Sequence, residues 1–221
     1  MTRALLFGAT GLVGGHCLDG LLKSPRYERV VTVGRRELEQ RGAKHVHRVL
    51  DFERPDPFDS LERADDVFCC LGTTIEKAGS RAEFRKVDFD YVVRAGMFAK
   101  LVGATQFLVV SALGADAESA VFYYRIKGET EAALRALELP ALHVFRPSVL
   151  LGERSESRLG ERIALLPLRA FGPLMLGPLR RYRAVDANVV ARVMLCVAAQ
   201  DRSGVQIYES DQIVRLSSEL A

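Results

Sequence analysis

The stretch Leu5-Leu6-Phe7-Gly8-Ala9-Thr10-Gly11-Leu12-Val13-Gly14-Gly15 decides the fold. An apolar run ends in glycines at positions 8, 11 and 14, and an apolar helical pattern begins at once. That order predicts a strand, a tight turn and a helix N-terminus. Gly8 allows the turn, Gly11 lets backbone come close to a pyrophosphate, and Gly14 lets the helix pack on the strand. The free N–H groups and positive dipole end of the helix then face the anion. A dinucleotide site is therefore expected at Gly8, Thr10, Gly11, Leu12, Val13 and Gly14. The spacing GxxGxxG differs from the GxGxxG fingerprint, and its alternative is a glycine-rich turn with no ligand.

Outward from this turn, apolar runs alternate with helical patterns. Strands are predicted at Ala4–Phe7, Val30–Val33, Val46–Leu50, Asp66–Leu71, Gln106–Val110, Leu142–Phe145 and Val205–Tyr208. Helices are predicted at Leu12–Leu22, Arg81–Val102, Val121–Leu137, Asp186–Ala199 and Asp211–Glu219. The runs LLF, VVTV, VFCCL and FLVV are near-continuously apolar, as in strands buried on both faces of a parallel sheet. The expected class is α/β: a Rossmann-like, doubly wound parallel sheet of about seven strands, with right-handed crossovers and helices on both faces. Ligands then belong at the carboxyl ends of the strands. No linker divides the chain, so residues 1–221 read as one domain. The stretch Gly152–Tyr182 is too long for a plain connection and is assigned to covering a mostly apolar substrate. A membrane-surface patch is its alternative role.

Composition narrows the function classes. A net charge of +3 is too small to imply nucleic acid. The basic excess is local: Arg154 to Arg183 holds seven arginines against two acids, either a solvated face or a rim attracting an anion. Cys17, Cys69, Cys70 and Cys196 show no CxxC spacing. They read as small buried apolar residues in a reducing, cytoplasmic setting, with no disulfide framework and no zinc site. Arg3 before an apolar run resembles a signal peptide, but the glycines and Asp19 break that run. No stretch is apolar for long enough to predict a transmembrane segment. His16, His45, His47 and His143 show no metal-ligand pattern. His45 and His47 are expected at the surface, and His143 as a satisfied core histidine.

Five strand ends could carry chemistry. Val33-Gly34-Arg35-Arg36 places two arginines where NAD-binding proteins usually carry an acid for the ribose 2′-hydroxyl. A guanidinium matches a phosphate bidentately, so Arg35 and Arg36 favour NADP over NAD; their alternative is to solvate a loop. Asp51 and Phe52 could flank the adenine, or simply fill a loop. At Leu71-Gly72-Thr73-Thr74, Gly72 lets backbone pass close to a cofactor and the threonines could reach phosphate or substrate; simple strand termination competes. After Ser111, Tyr123 and Lys127 follow at i and i+4 of one helix face. A free tyrosine, with a pKa near ~10, is a poor acid–base group at neutral pH, and a nearby ammonium lowers it. The serine hydroxyl can orient a carbonyl, so the trio suits hydride transfer. Its alternative is an ordinary helix with Tyr123 in the core and Lys127 in solvent. Tyr124 lies ~100° round the helix and should face elsewhere. Pro147 stiffens its own backbone and restrains the residue before it, either as a wall beside the nicotinamide or as a turn.

Together these residues resemble the short-chain dehydrogenase/reductase superfamily, in its extended or atypical branch. Gly8, Gly11 and Gly14 fit its pyrophosphate turn, and Ser111, Tyr123 and Lys127 its catalytic trio. The chain more specifically resembles the Tat-interacting tumour-suppressor oxidoreductase-like proteins. That similarity rests on Cys70-Leu71-Gly72-Thr73-Thr74, Lys77-Ala78-Gly79, Val87-Asp88-Phe89-Asp90-Tyr91-Val92, Lys127-Gly128-Glu129, and Phe145-Arg146-Pro147 through Glu156-Ser157-Arg158. The resemblance implies NADP(H) binding in a compact Rossmann-like domain with a reduced substrate region. Members are discussed as regulators as much as enzymes. The fourth catalytic asparagine of typical short-chain reductases has no clear counterpart here. The expected function is an NADPH-dependent oxidoreductase acting on a small carbonyl or alcohol substrate, as a monomer or homodimer. The rival is an NADPH-binding redox sensor that reports to a protein partner with little turnover. A sugar-nucleotide epimerase ranks last, since the chain is short for a sugar-nucleotide domain.

Overall fold

The computed structural model describes residues 2–54, 58, 61–152 and 181–219. Strand β1 (Thr2–Phe7) points successive side chains to opposite faces of the sheet. Ala4 and Leu6 enter one core with Cys17, Leu18 and Phe68, while Leu5 and Phe7 enter the other with Val67, Phe98, Phe107 and Leu134. Both faces of β1 are therefore dry, which explains why it reads as an unbroken apolar run.

Helix α1 (Leu12–Lys23) follows the glycine turn and leads to β2 (Tyr27–Gly34) and β3 (His45–Val49). After β4 (Asp66–Cys69) come two short helices, α2 (Ile75–Ala78) and α3 (Arg81–Arg85), a π-helical turn (Lys86–Asp90) and α4 (Tyr91–Leu101). The chain continues through β5 (Gln106–Val110), α5 (Phe122–Ala136), β6 (Ala141–Arg146), β7 (Leu150–Leu151), β8 (Val185–Asp186), α6 (Ala187–Ala198), β9 (Gly204–Glu209) and α7 (Ser210–Glu219).

Among the described residues the main sheet has seven strands, all paired in parallel, in the order β3-β2-β1-β4-β5-β6-β9. Strand order reverses between β1 and β4, and the crevice beyond their carboxyl ends is where such sheets take ligands. The expected class and all seven strands are present, each within a few residues of its expected bounds.

Some elements depart from expectation, among them the short helix Ile75–Ala78, which no expected helix covers. The helix expected over Arg81–Val102 is interrupted by the π turn at Lys86–Asp90. A π turn adds one residue to the helical circuit and rotates the side chains around it, often at functional sites. The two-stranded pair β7–β8 was not foreseen. Its strands are two residues each and carry no periodicity to read. Of the stretch assigned to cover a substrate, and of the arginines around it, residues 153–180 lie outside the described residues.

Expectations about single residues also change. Cys17 and Cys69 are buried as expected, but Cys70 and Cys196 are partly exposed. His45, expected at the surface, is fully buried, and His47 is half-buried, because both rings close on buried Thr32 of β2. His143 lies in the core as expected, with Nδ1 3.4 Å from the Tyr208 hydroxyl, but its Nε2 has no hydrogen-bond partner among the described residues, so the ring is only half satisfied.

Candidate functional site

The turn after β1 is built so that no side chain can enter it. Gly8 has φ +81°, a region L side chains avoid, and a Cβ there would lie 2.6 Å from the Cys70 carbonyl oxygen at the end of β4. A Cβ on Gly14 would overlap the Gly8 carbonyl oxygen. The turn closes with Gly11 N–H donating to Gly8 C=O at 2.9 Å. Gly11 is the N-cap of α1, and no side chain caps the helix. The first turn, with Leu12 and Val13, also carries no acid, so its amides and dipole are left to an anion from outside. Val13 buries its side chain in the core and Thr10 is exposed. A cradle a Cβ would fill, at the N-terminus of an uncapped helix, fits a pyrophosphate.

Arg35 and Arg36 follow β2 directly, and both side chains are exposed. Phe52 departs from the adenine expectation. It is 2 % exposed, with its ring packed against Phe7, Phe58 and Tyr91, so the core occupies the faces a base would stack on. Asp51 is exposed, and its Oδ1 accepts from Glu53 N–H at 3.0 Å.

The end of β4 meets the π turn and α5. The Thr73 N–H donates to Asp88 Oδ2 at 2.8 Å. Lys127 Nζ lies 2.8 Å from Asp88 Oδ1. A Cβ on Gly72 would sit 3.4 Å from Asp88 Oδ1 and 3.7 Å from Lys127 Nζ, so Gly72 covers this pair closely. Thr74 turns away from the group and caps α2, its Oγ1 accepting from Lys77 N–H at 3.1 Å.

Lys127 is only 7 % exposed, the opposite of the solvent-facing lysine of an ordinary helix. Burial alone pulls its pKa down. Asp88 and Tyr123 outweigh that, and the net shift is upward, so Lys127 stays an ammonium. Tyr123 moves in a direction the sequence does not suggest. Burial raises its pKa, Lys127 lowers it, and Asp88 and Tyr124 raise it again, leaving the phenol above its ordinary value. The Lys127 ammonium does pull the phenol down, but burial outweighs it and Asp88 offsets part of it. Tyr123 packs between Phe84 and Tyr124, at ring separations of 5.6 and 5.3 Å, and Tyr124 is the more exposed of the two tyrosines.

Ser111 is not presented as a free hydroxyl. It donates to Glu131 Oε1 at 2.6 Å, and Glu131 in turn accepts from Arg146 Nε at 2.9 Å and Nη2 at 2.6 Å. Ser111, Glu131, Lys127 and Asp88 line one small cavity. A hydroxyl whose proton is held by a carboxylate cannot donate to a carbonyl until it rotates away. Pro147 is buried, and its carbonyl accepts from Leu113 N–H at 2.9 Å. That bond ties the end of β6 to the loop after Ser111.

Sequence reasoning named Tyr123 and Lys127 but missed Asp88, Glu131 and Arg146. Signals for two of them exist. Glu131 is four residues beyond Lys127 on the same helix, and Arg146 precedes the conspicuous Pro147. Asp88 follows no spacing rule, because the π turn delivers it. Among the described residues no cluster of His, Cys, Asp or Glu could hold a metal ion, and no helix is long and apolar enough to cross a membrane.

No protein-family profile matches the chain. Solved structures with the same fold include MoeE5 in complex with UDP-glucose and NAD (TM-score 0.71, 18% identity, covering 99% of this chain and 82% of that one). Another is UDP-glucuronic acid 4-epimerase from Bacillus cereus in complex with NAD (TM-score 0.69, 14% identity, covering 99% and 81%). At such identity they establish the Rossmann-like architecture alone. Protein HTATIP2 of Rattus norvegicus is 37% identical over 97% of this chain and 88% of its own length. The mitochondrial protein FMP52 of Debaryomyces hansenii is 32% identical over 89% and 88%. Identity of this extent, over most of the length of both chains, identifies this Rossmann-like chain as a member of the HTATIP2/FMP52 family.

Proposed function

We propose that this chain is an NADPH-dependent oxidoreductase of the short-chain type that reduces a carbonyl compound. The observation that carries this reading is the Lys127–Asp88 pair, buried together at the carboxyl edge of the sheet. A buried ion pair adds little to stability over apolar packing, so its presence beside a small cavity, on the helix that carries Tyr123, points to chemistry. The Gly8–Gly14 turn would hold the pyrophosphate, and Arg35 and Arg36 the 2′-phosphate. Leu71, Gly72 and Thr73 would line the path between, and Pro147 would back the nicotinamide. Asp51 would flank the adenine without the Phe52 ring. The bound coenzyme supplies a hydride.

Tyr123 holds its proton at neutral pH, because burial and Asp88 outweigh Lys127. It would thus donate from Oη to the oxygen of a carbonyl undergoing reduction. Lys127 would hold the nicotinamide ribose and keep positive charge near that oxygen. Ser111 orients the carbonyl once its hydroxyl swings off Glu131. A second reading, an NADPH-sensing regulator with little turnover, is favoured by the Ser111–Glu131 bond, which keeps that hydroxyl from substrate. The cytoplasmic placement stays part of the proposal, set against the mitochondrial designation of the FMP52 relatives; fractionation of cells carrying the full chain decides it.

The experiment follows coenzyme oxidation over a panel of aldehydes, ketones and UDP-sugars. Turnover of a carbonyl, lost on Tyr123→Phe by about 100-fold or more, supports the enzyme. Turnover unchanged by Tyr123→Phe rejects the site. No turnover, together with a protein partner bound only in the presence of NADPH, selects the sensor. Replacing Arg35 and Arg36 by Ala should weaken NADPH far more than NADH; equal losses reject the 2′-phosphate assignment.

A further inference from the structure

The loop from Arg35 to Lys44, which carries both arginines assigned to the 2′-phosphate, is joined to β2 and β3 by a chain of hydrogen bonds, beside an Arg41–Asp19 ion pair at 2.6 Å and the bonds of Lys44 Nζ to the Ser24 and Tyr27 carbonyls. Thr32 Oγ1, buried on β2, lies 2.8 Å from His45 Nε2 and 2.8 Å from His47 Nδ1, both on the neighbouring strand β3. The outer ends of the chain are main-chain groups. Arg41 N–H donates to His45 Nδ1 at 2.9 Å, and His47 Nε2 lies 2.9 Å from the Arg36 carbonyl oxygen.

Main-chain groups have fixed roles: an amide N–H only donates and a carbonyl only accepts. His45 Nδ1 must therefore be bare, and its proton sits on Nε2 and is donated to Thr32 Oγ1. His47 Nε2 must carry a proton for the Arg36 carbonyl, so in the neutral ring Nδ1 is bare and accepts the Thr32 hydroxyl proton. The four bonds thus run in one sense, from Arg41 N–H through His45, Thr32 and His47 to Arg36 C=O. Each donor meets one acceptor. A second proton on His45 would face the Arg41 N–H. One on His47 would leave the Thr32 proton without an acceptor in the chain. Burial above all, then His47 and Arg41, holds the His45 pKa below its ordinary value, in keeping with a neutral ring. A Cβ on Gly34 would lie 3.4 Å from His47 Cε1, so the ring packs closely on the last residue of β2.

We propose that Thr32, His45 and His47 are positioning residues for nucleotide selectivity: they clamp Arg36 and Arg41 at the two ends of the loop and so hold Arg35 and Arg36 ready for a 2′-phosphate. The proposal rests on the reading that these arginines bind that phosphate. Its physical content is preorganisation, since a loop ordered before the ligand arrives does not have to be ordered by it. The Thr32–His45 link is fully buried, so breaking it strands a buried donor or acceptor, while the outer links reach the exposed loop at Arg41 and Arg36.

The test uses the full chain and calorimetric titration with NADPH and with NADH. Thr32→Val severs the chain at its centre with little change of volume, and Thr32→Ser restores the hydroxyl. Thr32→Val should weaken NADPH by about tenfold while NADH changes by about twofold or less, and Thr32→Ser should recover the parent preference. If Thr32→Val does not fold, His47→Asn keeps the acceptor for Thr32 but falls short of the Arg36 carbonyl, and it is judged by the same ratio. Imidazole 15N spectra of the unligated protein give a readout independent of nucleotide: both rings should carry their proton on Nε2 alone. Any other tautomer overturns the proposal, as does a parent preference for NADPH that survives both substitutions. Equal affinity of the unaltered chain for NADPH and NADH overturns the phosphate reading, and the proposal with it. The two failures are therefore distinct.

Discussion

Lys127 and Asp88 meet at 2.8 Å with both side chains out of water, and the carboxylate also holds the Thr73 amide. Asp88→Asn keeps an oxygen for that amide and removes the charge. Because Asp88 pushes the Tyr123 pKa up, its neutralisation should bring that pKa down. The measurement is the phenolate absorbance titration of Asp88→Asn, from which the same titration with Tyr123→Phe added is subtracted to isolate this tyrosine. An unmoved or raised value would remove Asp88 from the site's electrostatics. His143 gives a second prediction at this scale. Burial lowers its pKa from the ordinary 6.5 to about 4. The unfolded chain therefore takes up a proton that the folded chain refuses between those two values. Stability is fully present above pH 6.5 and is lost as pH falls towards about 4, by roughly 3 kcal/mol for this ring. Denaturant titrations across that window should show the slope, and His143→Leu should flatten part of it. At this scale the sequence was legible where spacing along one helix sufficed, as for Tyr123 and Lys127. It was silent where a partner arrives from another element, as Asp88 does.

At the scale of elements, the β1–α1 junction could be read because its requirements are local. Gly8 must take a positive φ, and Gly14 must leave room for the Gly8 carbonyl. Gly14→Ala would force apart the turn and the first turn of α1. It should weaken nucleotide binding by about 100-fold or more and cost roughly 2–4 kcal/mol of stability, measured by calorimetry and by thermal unfolding. Retained affinity would show that the pyrophosphate lies elsewhere. The helix expected over Arg81–Val102 is the instructive miss. Its apolar periodicity is compatible with one continuous helix, and a single inserted residue in a turn hardly disturbs such a pattern. The π turn at Lys86–Asp90 is stabilised instead by contacts outside the helix, the Thr73 amide and the Lys127 ammonium on the Asp88 side chain and the Thr130 hydroxyl on its carbonyl. The same holds for β3, whose histidines looked solvent-bound until Thr32 of β2 came beside them.

Across the whole molecule, the two ends of the sheet divide the work. At the amino end, buried Asp66 accepts from the Tyr27 hydroxyl at 2.7 Å and Gln106 Nε2 at 2.8 Å, and Arg26 Nε lies 3.3 Å away. This knot ties β2, β4 and β5 together far along the strands from the glycine turn. Asp66→Ala strands these donors and should cost roughly 3–5 kcal/mol of stability while leaving nucleotide affinity within about twofold. A matching loss of affinity would mean that the two ends are coupled. The order of strands and helices, the parallel sheet and the place of the glycine turn were determined by the sequence alone, because they follow from periodicity, from backbone that only glycine can supply and from the handedness of crossovers. Tertiary structure alone decided the charge state of the chemistry. Whether Lys127 ionises Tyr123 or is neutralised by Asp88, whether Ser111 is free or held by Glu131, and which ring nitrogens of His45 and His47 carry protons all depend on groups distant in the chain. Their fields and hydrogen bonds act only after the sheet and helices have brought them within a few ångströms and excluded water.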